Sequence, residues 1–333
     1  MAESTSAVTL TAADIGGTHV RFAKATVEPG RRPVLGQPVV LKTASYSGFS
    51  SAWKAYTQNL DASVPDTLSI SFAGPVRGET LQATNSHWVL NRCTLAAELG
   101  LKTVYLMNDF GAMAHGVALL GEEELETVCG PQWSAKSKSE ITTVIGPGTG
   151  LGVAMLSRGC GQFQVIETEG GHVDFAPLDR FEAAVLNRLR EQFQRVSVER
   201  IVSGPGLNNL VQCIAHIEQR EFTPLDDPTL WRQALDSDCN DDLLDQALQR
   251  FCMSYGSVAG DLALATGASR VVLVGGLTQR LAGYLRDSHF SRRFCAKGRY
   301  QSVMTDIPVQ LARFDQLGLL GAAAGYQEVL SNS

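Results

Sequence analysis

The chain has 333 residues, 44% of them hydrophobic, and a formal net charge of -6. That length is generous for one hydrophobic core, so two domains or lobes are expected, and the apolar fraction leaves little room for extended disorder. The acidic balance, with no dense Lys/Arg cluster, argues against nucleic acid or an anionic membrane as partner, and no apolar run reaches transmembrane length.

Met1-Ala2-Glu3-Ser4-Thr5-Ser6 carries an acid and lacks the basic-then-apolar order of a secretory signal, and Leu330-Ser331-Asn332-Ser333 is not a peroxisomal address. The cysteines at 93, 129, 160, 213, 239, 252 and 295 form no CxxC pair. Reduced thiols in a cytoplasmic protein are therefore expected, in place of a disulfide framework or a Cys-based zinc site.

Val8-Thr9-Leu10-Thr11-Ala12-Ala13 is a β-prone run leading into Asp14-Ile15-Gly16-Gly17-Thr18, after which His19 to Ala25 alternates polar and apolar residues with the strand period of two. The double glycine thus joins two strands. A dinucleotide-binding turn, which must open a helix, is excluded, and the lysine of a Walker-type loop is missing. Gly16-Gly17 can be an ordinary hairpin turn. It can also expose N–H groups to an anion, with Thr18 adding a hydroxyl. Asp14 bears on the choice, because a carboxylate just before a phosphate-binding turn is repelled unless Mg²⁺ lies between them.

A helix is predicted over Phe49 to Leu60, and a strand over Leu68 to Ala73 that Gly74-Pro75 halts. Trp88 reads as packed. Thr103-Val104-Tyr105-Leu106-Met107 is a strand that passes through Asn108-Asp109 into an Ala-rich helix. A carboxylate there lies beyond a strand's carboxyl end, where open α/β sheets hold ligands, and it can accept a proton from a substrate hydroxyl. Asp109 can also be a plain N-cap, a position that Asp favours.

Gly130 to Ser139 is a polar, basic surface connection. Ile141 to Ile145, Gly146-Pro147-Gly148-Thr149-Gly150-Leu151-Gly152 and Val153 to Leu156 repeat the strand, Gly-Thr turn, strand order, which suggests an internal duplication. Glu169-Gly170-Gly171-His172 crowds polar groups into one loop, where His172 suits a ligand contact or a structural hydrogen bond better than a metal. Glu199 to Gly206 is expected to stop a helix begun near Arg180. Asp227-Pro228 should open the next helix, and Asp241 to Thr266 is a long amphipathic helix closed by Gly267. Arg270 to Val274 is a buried strand running into Gly275-Gly276, where small residues suit an adenine or ribose but also a plain strand-to-helix turn. Asp306 to Leu311 should add an edge strand, and Gly318 to Val329 a closing helix.

Taken in this order, the motifs resemble the bacterial-type ATP-dependent glucokinases of the actin-like, hexokinase superfamily of sugar kinases. The resemblance runs from about Leu10 to the closing helix. It implies an α/β, two-lobed actin-like ATPase (ribonuclease H-like) fold with internal duplication and an interlobe cleft. A small domain of residues 1–119, completed by 311–333, would join a large domain of 120–310. It further implies a homodimer that binds ATP, Mg²⁺ and glucose. Asp109 would be the catalytic base, and Asn108, Asp109, Glu169, His172 and Glu199 would hold the sugar. Ala13, Asp14, Ile15, Gly16, Gly17, Thr18, Gly148, Thr149, Gly150, Gly275 and Gly276 would hold ATP, with Asp14 reaching Mg²⁺ through water. Ala13 stands where the family often has glycine, His19 where it often has asparagine, and Pro147 removes an N–H from the second turn. Relatives with a Cys-rich zinc loop are disfavoured, since the first cysteine after His172 is Cys213.

Overall fold

The computed structural model describes residues 7–60, 63–84, 86–133, 139–159, 162–236 and 238–331. Met1 to Ser6, Asn332, Ser333, Asn85, Cys160 and the basic residues Lys136 and Lys138 of the expected surface connection lie outside the described residues. In chain order the first elements are β1 (Val8–Ile15), β2 (His19–Val27), β3 (Val34–Leu35), β4 (Val39–Lys42), α1 (Phe49–Gln58), β5 (Thr67–Phe72), β6 (Thr80–Gln82), β7 (Val89–Asn91), α2 (Leu95–Leu99), β8 (Thr103–Asn108) and α3 (Asp109–Val117). There follow β9 (Leu125–Cys129), β10 (Ser139–Pro147), β11 (Leu151–Gly159), β12 (Gln162–Thr168), α4 (Arg180–Gln192), α5 (Gly204–Ile217), α6 (Asp227–Ala234) and α7 (Asp242–Thr266). The last are β13 (Arg270–Leu273), α8 (Gly276–Arg280), α9 (Ala282–Asp287), α10 (Phe290–Cys295), α11 (Gln301–Thr305), β14 (Val309–Ala312) and α12 (Leu317–Ser331). The chain forms two compact units, residues 1–120 with 316–333, and residues 121–315.

In the first unit the sheet order is β3-β2-β1-β5-β8, with β4 also on β2. The strand period sorts β1 into two faces. Ala13 and Ile15 join an aromatic core with Phe22, Phe49, Trp53, Phe72 and Trp88, as expected of Trp88. Leu10 and Ala12 instead meet Leu319, Ala322 and Ala323 of α12. That helix lies close because its contact face is small. A Cβ on Gly321 would sit 1.7 Å from the Ala112 carbonyl of α3. Ser69 Oγ, buried in β5, donates to Ala322 O at 2.6 Å.

The second unit's sheet runs β12-β11-β10-β13-β14-β9. Outward from β12 the pairings are antiparallel, antiparallel, parallel and parallel. The first unit's path from β3 to β8 has the same sequence. The repeated hairpin therefore belongs to a repeated sheet.

The segment expected as an edge strand is β14, which lies inside the sheet because Leu125–Cys129 takes the edge as β9. Glu199 to Gly206 does not stop the helix begun at Arg180, which ends at Gln192. Instead Ser203 caps α5 through Gly206 N–H, and Pro205 falls in the first turn, where its missing donor costs nothing. Likewise the cap of α6 is Asp226, one residue before the expected Asp227. The long helix α7 is capped by Asp241 and closed by Gly267 at φ 65°, as its pattern required.

Two outcomes follow from the α3–α12 contact. Gly321→Ala forces a methyl into the Ala112 carbonyl, so the chemical-denaturation midpoint should fall by the equivalent of about 1–3 kcal/mol; an unchanged midpoint would mean that these helices do not touch in this way. His115 of α3 is 8% exposed, and burial holds its imidazole down at about 4 from an ordinary 6.5. A neutral buried imidazole contributes stability that is complete above pH 6.5 and lost as the pH falls towards 4. Glu328, 3.6 Å away with its carboxyl raised by burial, acts in the opposite sense. The stability lost between about pH 7 and pH 5 should therefore be about 2 kcal/mol greater in the unmodified chain than in His115→Leu. Equal losses would remove His115 from the acid response.

Candidate active site

In the first unit the parallel strands β1, β5 and β8 carry their carboxyl ends to one edge, with Ile15, Phe72 and Asn108 in register. Asp14 and Asp109 thus leave the same edge of the sheet, two strand spacings or roughly 10 Å apart. Asn108 is the N-cap of α3. Its Oδ1 accepts from Phe110 N–H at 2.9 Å and Gly111 N–H at 3.2 Å, while its Nδ2 donates to Gly74 O at 3.1 Å. Capping therefore falls to Asn108, and a simple capping role does not account for Asp109, whose Oδ1 also accepts from Phe110 N–H at 3.0 Å.

Asp14 belongs to the strand, not to the turn, and its side chain is 13% exposed. Ser71 Oγ donates to Oδ1 at 2.9 Å and Arg21 Nη1 approaches Oδ2 at 3.4 Å. Burial pushes the carboxyl above its ordinary value, and Arg21 and Ser71 work against that push. The carboxylate also backs onto the first turn of α12, where a Cβ on Gly318 would stand 2.7 Å from its carbon. A helix N-terminus favours negative charge there. Ala13 and Ile15 are buried in the core, so they shape the strand and present no side chain to a ligand.

The hairpin turn spends one donor on itself, Gly16 N–H to His19 O at 2.9 Å. The N–H groups of Gly17 and Thr18 have no acceptor among the described residues.

The second unit repeats this economy. Gly148 N–H bonds Gly150 O at 2.7 Å, while the N–H groups of Thr149 and Gly150 have no acceptor among the described residues. Pro147 lies in β10, before that pair, so its missing donor subtracts neither. Gly204 N–H, opening α5, donates to Gly148 O at 2.6 Å, and Glu199 Oε2 accepts Leu151 N–H at 2.8 Å. The loop of Glu169 and His172, both exposed, packs through Gly170 onto Val153 at the start of β11. Its backbone also joins the Glu199 segment, Val198 N–H to Val173 O at 2.9 Å. Gly275, at φ 95°, turns β13 into α8 beside the Pro147 carbonyl. Glu169, His172, Glu199, the second glycine turn and Gly275-Gly276 are thus neighbours in this unit.

The sequence did not single out Ser71 and Arg21. A signal was present, because Thr67, Ser69 and Ser71 put three hydroxyls on one face of a strand whose other face is apolar. An open cavity of about 860 Å³ lies elsewhere, among α4, α7 and α10. Two of its arginines are paired, Arg250 with Asp179 at 2.6 Å and Arg293 with buried Glu182.

Within each unit the glycine turn can offer a pair of backbone donors to an anion. The glucokinase family model matches residues 11–329. The chain is 50% identical to the glucokinase of Zymomonas mobilis over 317 residues, 95% of this chain and 97% of that protein. It superimposes on a glucokinase from an Antarctic psychrotroph with a TM-score of 0.80 and 30% identity, covering 98% of this chain and 99% of that one. A Streptomyces griseus ROK family glucokinase in complex with glucose and AMPPNP shares the fold at a TM-score of 0.59 and 18% identity, over 95% of this chain and 98% of that one. With its motifs in order along a twice-repeated sheet and a family match over nearly its whole length, the chain belongs to the glucokinase family.

Proposed function

We propose that the chain transfers the γ-phosphoryl group of MgATP to the 6-hydroxyl of D-glucose, giving glucose 6-phosphate and ADP. The observation that carries this reading is the division of labour at the end of β8. Asn108 caps α3, and Asp109 is the residue assigned to the substrate hydroxyl. Asn108, Glu169, His172 and Glu199 orient the hexose so that its primary hydroxyl meets Asp109. Asp109 accepts the proton of the primary hydroxyl as its oxygen attacks phosphorus, and the developing charge falls on the donors of Gly17, Thr18, Thr149 and Gly150. Gly275 and Gly276 give the adenosine a flat bed.

Among the described residues no group of three or more His, Cys, Asp or Glu side chains is placed to hold a metal directly. One carboxylate still fits Mg²⁺, which keeps several waters and takes few protein ligands. Asp14, its oxygens fixed by Ser71 and Arg21, would hold such a hydrated ion, and the ion would offset phosphate charge. The same reading makes the protein a cytoplasmic homodimer whose product enters glycolysis.

Purified protein given MgATP and a panel of hexoses should form sugar 6-phosphate selectively from glucose, at the roughly 1–100 s⁻¹ usual for kinases. Product only from another hexose would reject glucose as the substrate. In Asp109→Asn, turnover should fall by roughly 10² or more while glucose affinity stays within a few-fold; near-normal turnover would remove Asp109 as the base. For Glu169→Gln the expected loss is in sugar binding, read as a raised KM for glucose, and an unaltered KM would contradict its role.

A further inference from the structure

Glu199 joins two functions that its place in the sequence keeps apart. Its segment, a 3-10 turn at Val198–Arg200, lies 48 residues beyond the second glycine turn, yet Glu199 Oε2 accepts the N–H of Leu151, the residue that ends that turn. At 2.8 Å to a carboxylate this is a charge-assisted bond, about twice the strength of a neutral one. The contact also explains Gly150. A Cβ there would stand 2.4 Å from Glu199 Oε2, although the backbone at Gly150 is one any residue can adopt. The missing side chain is room for the carboxylate. A second tether, Gly204 N–H to Gly148 O at 2.6 Å, holds the opposite side of the turn to the start of α5.

We infer that Glu199 is the positioning residue of the second phosphate turn. It fixes the loop so that the donors of Thr149 and Gly150 point outward before any nucleotide arrives, while its other oxygen stays available to the sugar. This rests on the reading of the turn as an ATP phosphate site. Two electrostatic effects of Glu199 oppose one another. Its charge repels phosphates close by, whereas its bond to Leu151 N–H pre-orders the donors that attract them. The bond is short and direct, the second tether holds the opposite side of the turn, and pre-ordering a loop removes a cost that binding would otherwise meet. Order should therefore outweigh repulsion.

The test is AMPPNP binding with Mg²⁺ and no sugar, by titration calorimetry, on folded full-length variants checked by circular dichroism. Glu199→Ala should bind about tenfold more weakly, the scale of one lost charged hydrogen bond. Glu199→Gln keeps an acceptor for Leu151 N–H and should bind within about twofold of the unmodified chain. Gly150→Ala retains its own N–H but pushes the carboxylate away, so it should mimic Glu199→Ala, and in a Glu199→Ala background it should cost nothing more. The inference is overturned if Glu199→Ala binds as well as the unmodified chain or more tightly, or if the two substitutions simply add. Failure of the unmodified chain to bind AMPPNP at all would overturn the ATP reading itself, and the inference with it.

Discussion

A hairpin at the end of a central strand must satisfy its own buried backbone groups and still leave donors for a ligand. Both glycine turns meet that constraint in the same way. Each spends the N–H of its leading glycine inside the turn, Gly16 on His19 and Gly148 on Gly150, and leaves the next two. An N–H with no internal acceptor is tolerable only where water or a ligand can reach it, so the unspent pairs sit at the exposed tips. The strands behind each turn are buried on both faces, which keeps the tips from shifting. Burial of the strand and exposure of its turn are two aspects of one arrangement.

Much of this was legible from the sequence. The two hairpins, the passage of Thr103–Asn108 into a helix, and the capped length of α7 follow from period and punctuation, which act over a few residues. The ordered motifs carried the family. Contacts over long separations could not be read in that way. Leu125–Cys129 is a short, partly buried strand that pairs with β14, so its absence from the sequence reading turned an interior strand into an edge. Gly204-Pro205-Gly206 looks like a stop signal, because glycine and proline end helices; Ser203 ahead of it, whose Oγ accepts from Gly206 N–H, makes the same residues a start.

Site residues divide along the same line. Asp14 and Asp109 were visible as acids at strand ends, but which neighbour holds each was not. Asn108 was assigned to the sugar, and its Oδ1 also caps α3 while its Nδ2 donates to Gly74 O. Glu199 was equally visible as a polar residue, yet its bond to Leu151 spans a separation that no periodicity encodes.

The last helix shows how a distant segment enters a site without supplying a functional group. Three close approaches of α12 are made at positions with no side chain: Gly321 at Ala112, Gly325 at Met107 and Gly318 at the Asp14 carboxylate. The first two let the helix settle against α3 and the sheet, and the third follows from them, because a helix held that near its neighbours has no space for a Cβ over Asp14. The positive end of α12 is thereby brought to a carboxylate that burial alone would push towards its neutral form. With Ser71 and Arg21 on the same side, three parts of the chain far apart in sequence favour the charge on one acid. Burial still leaves the Asp14 carboxyl raised, and these three groups work against that push at the end of β1, just ahead of the Gly16-Gly17 turn.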